Sequence, residues 1–189
     1  MKRFLPFLLI PLLIQCSGSR IAEMESIYDS KDYLRWSDKI KLSWSDFMGN
    51  PITGIAGVGS QANILFPTTV ERPTILSTPK LFAFVVFDKN NSWVLPEAKN
   101  QNLLLYNQTY FDIYELHARK LKESFSNSEF GLNDGAEIFH RLSEENNKKL
   151  NDMLNNFQRD TELGRNEGKL LSWAEEVNDS LDTLKDYKY

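Results

Sequence analysis

"LLLYNQTYFDIYELHARKL", residues 103–121, contains no glycine or proline and repeats its apolar side chains at helical spacing. Each residue of an α-helix advances the side chain by 100°, so Leu103, Tyr106, Tyr110, Ile113 and His117 fall within about 40° of one line. Asp112, Glu115 and Arg119 collect on the side opposite Tyr106. Glu115 and Arg119 stand four apart with the acid first, the favourable order for an ion pair. A structural pairing is the expected role of this trio, with Asp112 alternatively reaching a strand backbone or capping a loop. The helical pattern extends over residues 100–125.

Two more helices are expected downstream, one from Asp134 through Phe157 and one over 167–184. Upstream the pattern is strand-like. "IKLSWSDF", 40–47, alternates Ile40, Leu42 and Trp44 with polar residues and reads as a half-buried strand, with Ser45-Asp46 as a turn or cap. The glycine-rich "GIAGVGSQANILF", 54–66, suits a second strand. Pro67, Pro73 and Pro79 punctuate a loop. "LFAFVVF", 81–87, is a continuous apolar run between turn formers and reads as one central strand. "DKNN", 88–91, is a turn, and "SWVL" after it is expected to return as the hairpin partner. Strands first and helices after predict an α+β fold, a small antiparallel sheet followed by a helical half.

The chain has 189 residues, 41% hydrophobic and 12% aromatic, which fits one domain with a core. A net charge of −4 gives no support to a nucleic-acid role. The beginning, "MKRFLPFLLIPLLIQCSGS", has two cations, an apolar run over 4–14, then small and polar residues, the three-part form of a secretory signal. The run is short for a membrane span, and Pro6 and Pro11 oppose an intact buried helix.

"LIQC", 13–16, resembles the lipobox of bacterial lipoproteins, in which a cut precedes a cysteine that is then lipidated. Gln15 stands where that pattern has a small residue. Cys16 is the one cysteine, so no internal disulfide can form, and a thioether would give an exported thiol a use. Cleavage would remove Lys2 and Arg3 and leave the chain two charges more negative. The expected organisation is a signal peptide over 1–15, a lipidated tether over 16–32 and a domain over 33–189. The chain is then exported, held to the membrane through Cys16 at the bacterial outer membrane or cell envelope, with a secreted or periplasmic protein as the alternative. Asn90-Asn91-Ser92, Asn107-Gln108-Thr109 and Asn178-Asp179-Ser180 have the form of glycosylation sequons. With a bacterial signal they carry no weight.

Three segments together resemble a bacterial secreted zinc-dependent protease family labelled domain of unknown function 922. "KLSWSDFMGNP", 41–51, is similar to its early Leu-x-Trp-Ser-Asp-Phe motif. "DKNNSWVL", 88–95, is similar to the segment before its active helix. The helix itself normally opens His-Glu-Gln-x-His and continues Phe-Asp-Ile. Gln108, Phe111-Asp112-Ile113, Glu115 and Ala118-Arg119-Lys120-Leu121 fit it. A fourth segment fits further on, where Phe157, Thr161, Gly164 and Trp173 keep step with a Tyr-x-x-x-Thr-x-His-Gly motif and a later tryptophan.

The resemblance implies a zincin-like fold and a zinc site that has lost its chemistry. Two histidines at i and i+4 on a helix reach one ion, and the glutamate between them polarises its water. Tyr106 and Tyr110 stand at the two ligand positions, Asn107 at the base and Leu163 at the third ligand. A neutral phenol is a poor zinc ligand at neutral pH, and an amide cannot take the proton. No catalytic residue, metal ligand or cofactor is expected. Tyr106, Asn107, Tyr110 and Trp93 become a candidate binding cleft.

His117 is about 10 Å along the axis from Tyr110, too far to share an ion with it, and reads as a packed or hydrogen-bonded histidine. His140 opens a polar stretch and is expected to be half exposed. Trp36, Trp44, Trp93 and Trp173 read as core and core-edge anchors. Two function classes follow. One is a non-catalytic envelope lipoprotein with a binding or structural role toward a peptide, an envelope protein or cell-wall material. The other is a secreted hydrolase with a divergent or metal-independent site, for which no Ser/His/Asp spacing or phosphate loop is legible.

Overall fold

The structure is a computed structural model that describes residues 20–189 apart from 53–58, 73, 75 and 133. The signal segment, Cys16 and residues 54–58 of the glycine-rich run lie outside the described residues. The architecture is α+β, with small antiparallel sheets and four helices among the described residues. The helices are α1 (Arg20–Tyr28), α2 (Gln101–Ser126), α3 (Gly135–Asp160) and α4 (Glu167–Thr183). The strands are β1 (Tyr33–Arg35), β2 (Ser60–Gln61), β3 (Ile64–Leu65), β4 (Thr68–Glu71), β5 (Lys80–Ala83), β6 (Val86–Asp88) and β7 (Trp93–Val94).

Helix α2 matches its sequence pattern because its ends are chemically marked. The Asn100 side chain accepts the Leu103 N–H at 2.8 Å, which starts the helix. Asn166 does the same for α4, accepting from Lys169 N–H at 3.2 Å. Asp134 stands before α3 as expected, yet its carboxylate accepts the Gly131 N–H at 2.7 Å and caps no helical N–H.

The strand readings need three corrections. The run 81–87 is not one strand but two. It breaks at Phe84 and Val85, whose backbone groups bond Pro67 and Trp36. β5 pairs with β4, while β6 lies between β1 and β3. Residues 83–87 are all buried, so an unbroken apolar run hides the change of partner. Residues 40–47 form no strand. The Ser43 N–H and hydroxyl both donate to Asp46 Oδ2, at 2.9 and 2.7 Å, and wind Trp44–Asp46 into a single 3₁₀ turn. A local capping box replaces the ladder that alternation predicted. Finally, β7 does not return to β6 but pairs with β2, Gln61 opposite Trp93 and Ser60 opposite Val94. Asp88 causes this, because its Oδ1 accepts the Asn90 and Asn91 N–H groups, both at 3.1 Å, and bends the chain away.

The segment expected to be a polar tether contains α1, and α1 is docked. Ile21 N–H donates to Glu71 Oε1 at 3.0 Å, and Tyr28 packs edge-on against Tyr33 and Phe84. Arg35 beneath it lies between the rings of Phe84 and Tyr189, 4.1 and 3.8 Å from their centroids.

The two segments separated by some forty residues in the sequence, 41–51 and 88–95, lock together. Lys89 Nζ pairs with Asp46 at 3.0 Å, Met48 N–H donates to Lys89 O and Gly49 N–H to Ser92 O. Phe47 sets its ring edge-on against Phe87 at 5.0 Å. A Cβ on Gly49 would sit 2.7 and 2.8 Å from the carbonyl oxygens of Asn90 and Ser92, so only glycine lets the backbones approach.

Helix α2 lies at the centre and packs on α3, α4 and β5. It is buried on its polar side as well as its apolar side. Asp112 Oδ1 accepts from Trp36 Nε1 at 2.6 Å and from Gln108 Nε2 at 2.8 Å. Gln108 Oε1 accepts the Leu42 N–H at 2.8 Å. Two turns on, Arg119 Nε donates to Glu115 at 2.8 Å and its Nη1 donates to Leu181 O at 2.7 Å. Both side chains of that pair are nearly inaccessible, 2% and 3% exposed. Burial pushes the Glu115 carboxyl up, and the guanidinium pulls it partly back. Removing the acid leaves the buried cation only the more distant Asp38 carboxylate at 3.7 Å, so Glu115→Ala should cost about 3 kcal/mol in denaturant unfolding, the low end for a broken buried pair. Glu115→Leu combined with Arg119→Met should recover most of that loss. Equal loss in both variants would show that shape, not charge, sets the stability of this site.

Candidate functional site

Four positions were singled out in the sequence as the remains of a site, and they sit on two elements. Tyr106, Asn107 and Tyr110 lie on α2, and Leu163 lies in the turn between α3 and α4. That turn is held tightly. The Thr161 hydroxyl, wholly buried, donates to Phe157 O at 2.6 Å, and Leu163 N–H donates to Gln158 O at 3.1 Å. Glu162, Leu163 and Gly164 all have positive φ, 50°, 59° and 88°. A left-handed conformation is costly for a leucine, so the packing around it must hold it there.

The turn presses on α2. A Cβ on Gly164 would lie 2.9 Å from the Tyr106 Cβ and 3.6 Å from Asn102 O, so glycine is demanded by space as well as by φ. Leu163 is half-buried against the same core. The turn that carries the position read as third ligand therefore meets α2 at the position read as first, and the residue that makes the contact is Gly164. What fills the space is aromatic. The Tyr106 ring stacks on Phe157, centroids 4.9 Å apart and planes 12° from parallel. Phe157 meets Trp173 edge-on at 5.6 Å. Tyr110 continues the stripe, 6.3 Å from Tyr106 and 5.6 Å from Tyr114.

Asn107 turns another way. Its Nδ2 donates to Leu103 O at 2.7 Å and lies 2.9 Å from Ser60 Oγ, so a nearly inaccessible amide is satisfied by β2. Trp93 does not join these three. It is 3% exposed, donates from Nε1 to Gln61 Oε1 at 3.2 Å, and stands directly opposite Gln61 across the β2–β7 pair. Directly paired residues point to one face and their neighbours to the other. Trp93 and Gln61 thus share the face away from Ser60 and Asn107.

A zinc ion does not suit these residues. Burial, and then the neighbouring Tyr110, push the Tyr106 phenol well above its ordinary range, away from the anionic form a metal needs. Leu163 has no donor atom and Asn107 spends its amide on protein. Among the described residues no three His, Cys, Asp or Glu side chains converge.

His117 is packed as its sequence context implied, 2% exposed, with Nδ1 facing Asn146 Oδ1 at 3.1 Å. Its partner Asn146 lies in a charge- and amide-rich stretch of α3, where nothing in the sequence marks one side chain as buried. His140 is more exposed than expected and pairs with Glu144. Gln108 was matched only as part of a motif, and its role in pinning Leu42 appears only in three dimensions.

A second feature escaped the sequence reading. On the Trp93 face lies a cavity of about 490 Å³ rimmed by Asn50, Gln61, Asn63, Asn90 and Asn91. The amide-rich turn 88–91 signalled it, but that run reads first as a turn. Searches of protein-family profiles, curated proteins and solved structures return no match to this chain.

Burial lowers the His117 pKa to about 4, with the Asn146 bond opposing and Lys120 and Lys149 adding to the fall. The unfolded chain, with its histidine near 6.5, binds the proton first as pH falls. Stability should therefore drop between about pH 6.5 and 4. His117→Gln should flatten that part of the profile, worth up to about 3 kcal/mol. A variant with the same slope as the parent would place the acid sensitivity elsewhere.

Proposed function

We propose that this chain is a non-catalytic lipoprotein of the bacterial cell envelope, built on a zincin-like scaffold whose metal site has been closed by aromatic packing. The resemblance to the zinc-dependent protease family is the frame for this reading. The observation that carries it is the meeting of the 163–164 turn with Tyr106, two parts of the chain that the resemblance assigns to one metal. Their contact is what a shared centre would require. The stack of Tyr106, Phe157 and Trp173 now occupies three of the matched positions. Tyrosine fills the room of an imidazole and an ion while keeping a hydroxyl for polar partners. With a phenol, an amide and an aliphatic side chain in place of ligands and base, the region is suited to support or binding. The lock between 41–51 and 88–95 also brings two of the matched motifs into contact, as a common fold would demand. The anchor in this reading is a lipid on Cys16, and the partners are the membrane and an envelope protein or peptide.

Protein purified without chelator should carry no stoichiometric zinc, and its melting temperature should not move in chelator. Restoring Tyr106→His, Asn107→Glu, Tyr110→His and Leu163→His together should create stoichiometric zinc binding, measured by elemental analysis. Stoichiometric zinc in the parent, lost together with a peptidase activity, would sink the proposal. A separate test concerns the anchor. Cys16→Ser should move the protein from the membrane fraction to the soluble fraction, and mass spectrometry should find acyl chains on Cys16 of the parent.

A further inference from the structure

We propose that the amide-rimmed cavity beside Trp93 is a binding site for a neutral carbohydrate. Its walls come from three segments, 49–52, 61–63 and 90–93. Its volume of about 490 Å³ lies within the roughly 300–1,000 Å³ typical of small-ligand sites. The site does not depend on the zincin reading, and failure of either leaves the other standing.

The cavity is built in advance. Gly49 N–H donates to Ser92 O at 2.7 Å, and Asn63 N–H donates to Ser92 Oγ at 2.8 Å. The Ser92 hydroxyl, itself fully buried, donates to Asp88 O at 2.6 Å. Asp88 beneath the rim gathers the Asn90 and Asn91 backbone N–H groups and the Asn91 and Asn63 side-chain amides. Little ordering is left for a ligand to impose, which favours binding.

The hydrogen-bonding capacity left over decides the ligand class. Asn63 and Asn91 each donate one Nδ2 N–H to Asp88 and keep Oδ1 as an acceptor. Gln61 spends Oε1 on Trp93 and keeps Nε2 as a donor. Asn50 and Asn90 are exposed, and their side chains bond no protein group among the described residues. The rim therefore offers donors and acceptors together, in planar pairs. Hydroxyl groups need that mixture, since each both gives and takes a hydrogen bond. Ile52, 54% exposed, adds an apolar patch for the C–H face of a sugar ring or the methyl of an acetamido group.

Other classes fit less well. No charged side chain lines the cavity among the described residues, so a phosphate, carboxylate or amine would shed its water without a counter-charge. The walls are not the mainly apolar lining of a hydrophobic cofactor site. A peptide added as a strand needs a run of free edge, and β2 and β7 are two residues each.

Isothermal titration of the full chain with chitotriose, maltotriose and trialanine tests this. At least one of the two sugars should bind with a dissociation constant of roughly 1 mM or tighter. The affinity should be little changed between low and high salt, because no ion pair is involved. Asn50→Ala with Asn90→Ala should weaken that sugar by at least about tenfold with no change in melting temperature, as both side chains are exposed. No heat with either sugar overturns the proposal. So does sugar binding that survives the double variant, or trialanine binding that competes with the sugar for the same site.

Discussion

The buried polar side of α2 is the constraint on which the rest of the structure depends. A helix that faces solvent can leave its charges in water. Here Asp112, Glu115 and Arg119 are enclosed, and each must find partners or carry a large desolvation cost. Asp112 finds Trp36, Gln108 finds the Leu42 backbone, and Arg119 finds Glu115 and the Leu181 carbonyl. Those contacts come from the start of the domain and from α4 near its end. Helix α2 is thereby clamped to both, and strands too short to stand alone gain a fixed support.

A second consequence follows on the opposite stripe. With α2 held in place, the turn after α3 is pressed against Tyr106, at the expense of left-handed backbone at Glu162, Leu163 and Gly164. Aromatic stacking closes the space between. Tyr106, Phe157 and Trp173 rigidify this region. Beyond the β2–β7 pair, on the Trp93 face, an amide-rich turn and a close glycine contact shape a neutral cavity. Packing on one side of a two-stranded ribbon and vacancy on the other arise from the alternation of side chains along it.

Much of the helical half was legible. The stripe on α2, the Asn100 start, the Glu115–Arg119 pair and the buried setting of His117 all follow from spacing on one element. The strands were less so. In the run 81–87, burial makes every residue apolar whichever strand it pairs with, so the break at Phe84 leaves no periodic trace. At 40–47 the alternation was present, but Ser43 and Asp46 offered the backbone a nearer set of bonds. Of the candidate cleft, Tyr106 and the 163–164 turn meet, Tyr110 adjoins them, and Trp93 lies across the ribbon.

The residues alone determined where α2, α3 and α4 run, which faces of α2 are apolar or charged, and that Tyr106, Asn107 and Leu163 carry a phenol, an amide and an aliphatic side chain. Those are properties of local spacing and of functional groups, readable without a fold. Only the tertiary structure decided that the turn at Leu163 reaches Tyr106, that β7 turns to β2, and that scattered asparagines and a glutamine share one rim. These depend on contacts between distant segments, whose selection is made by the burial and pairing of the whole chain at once.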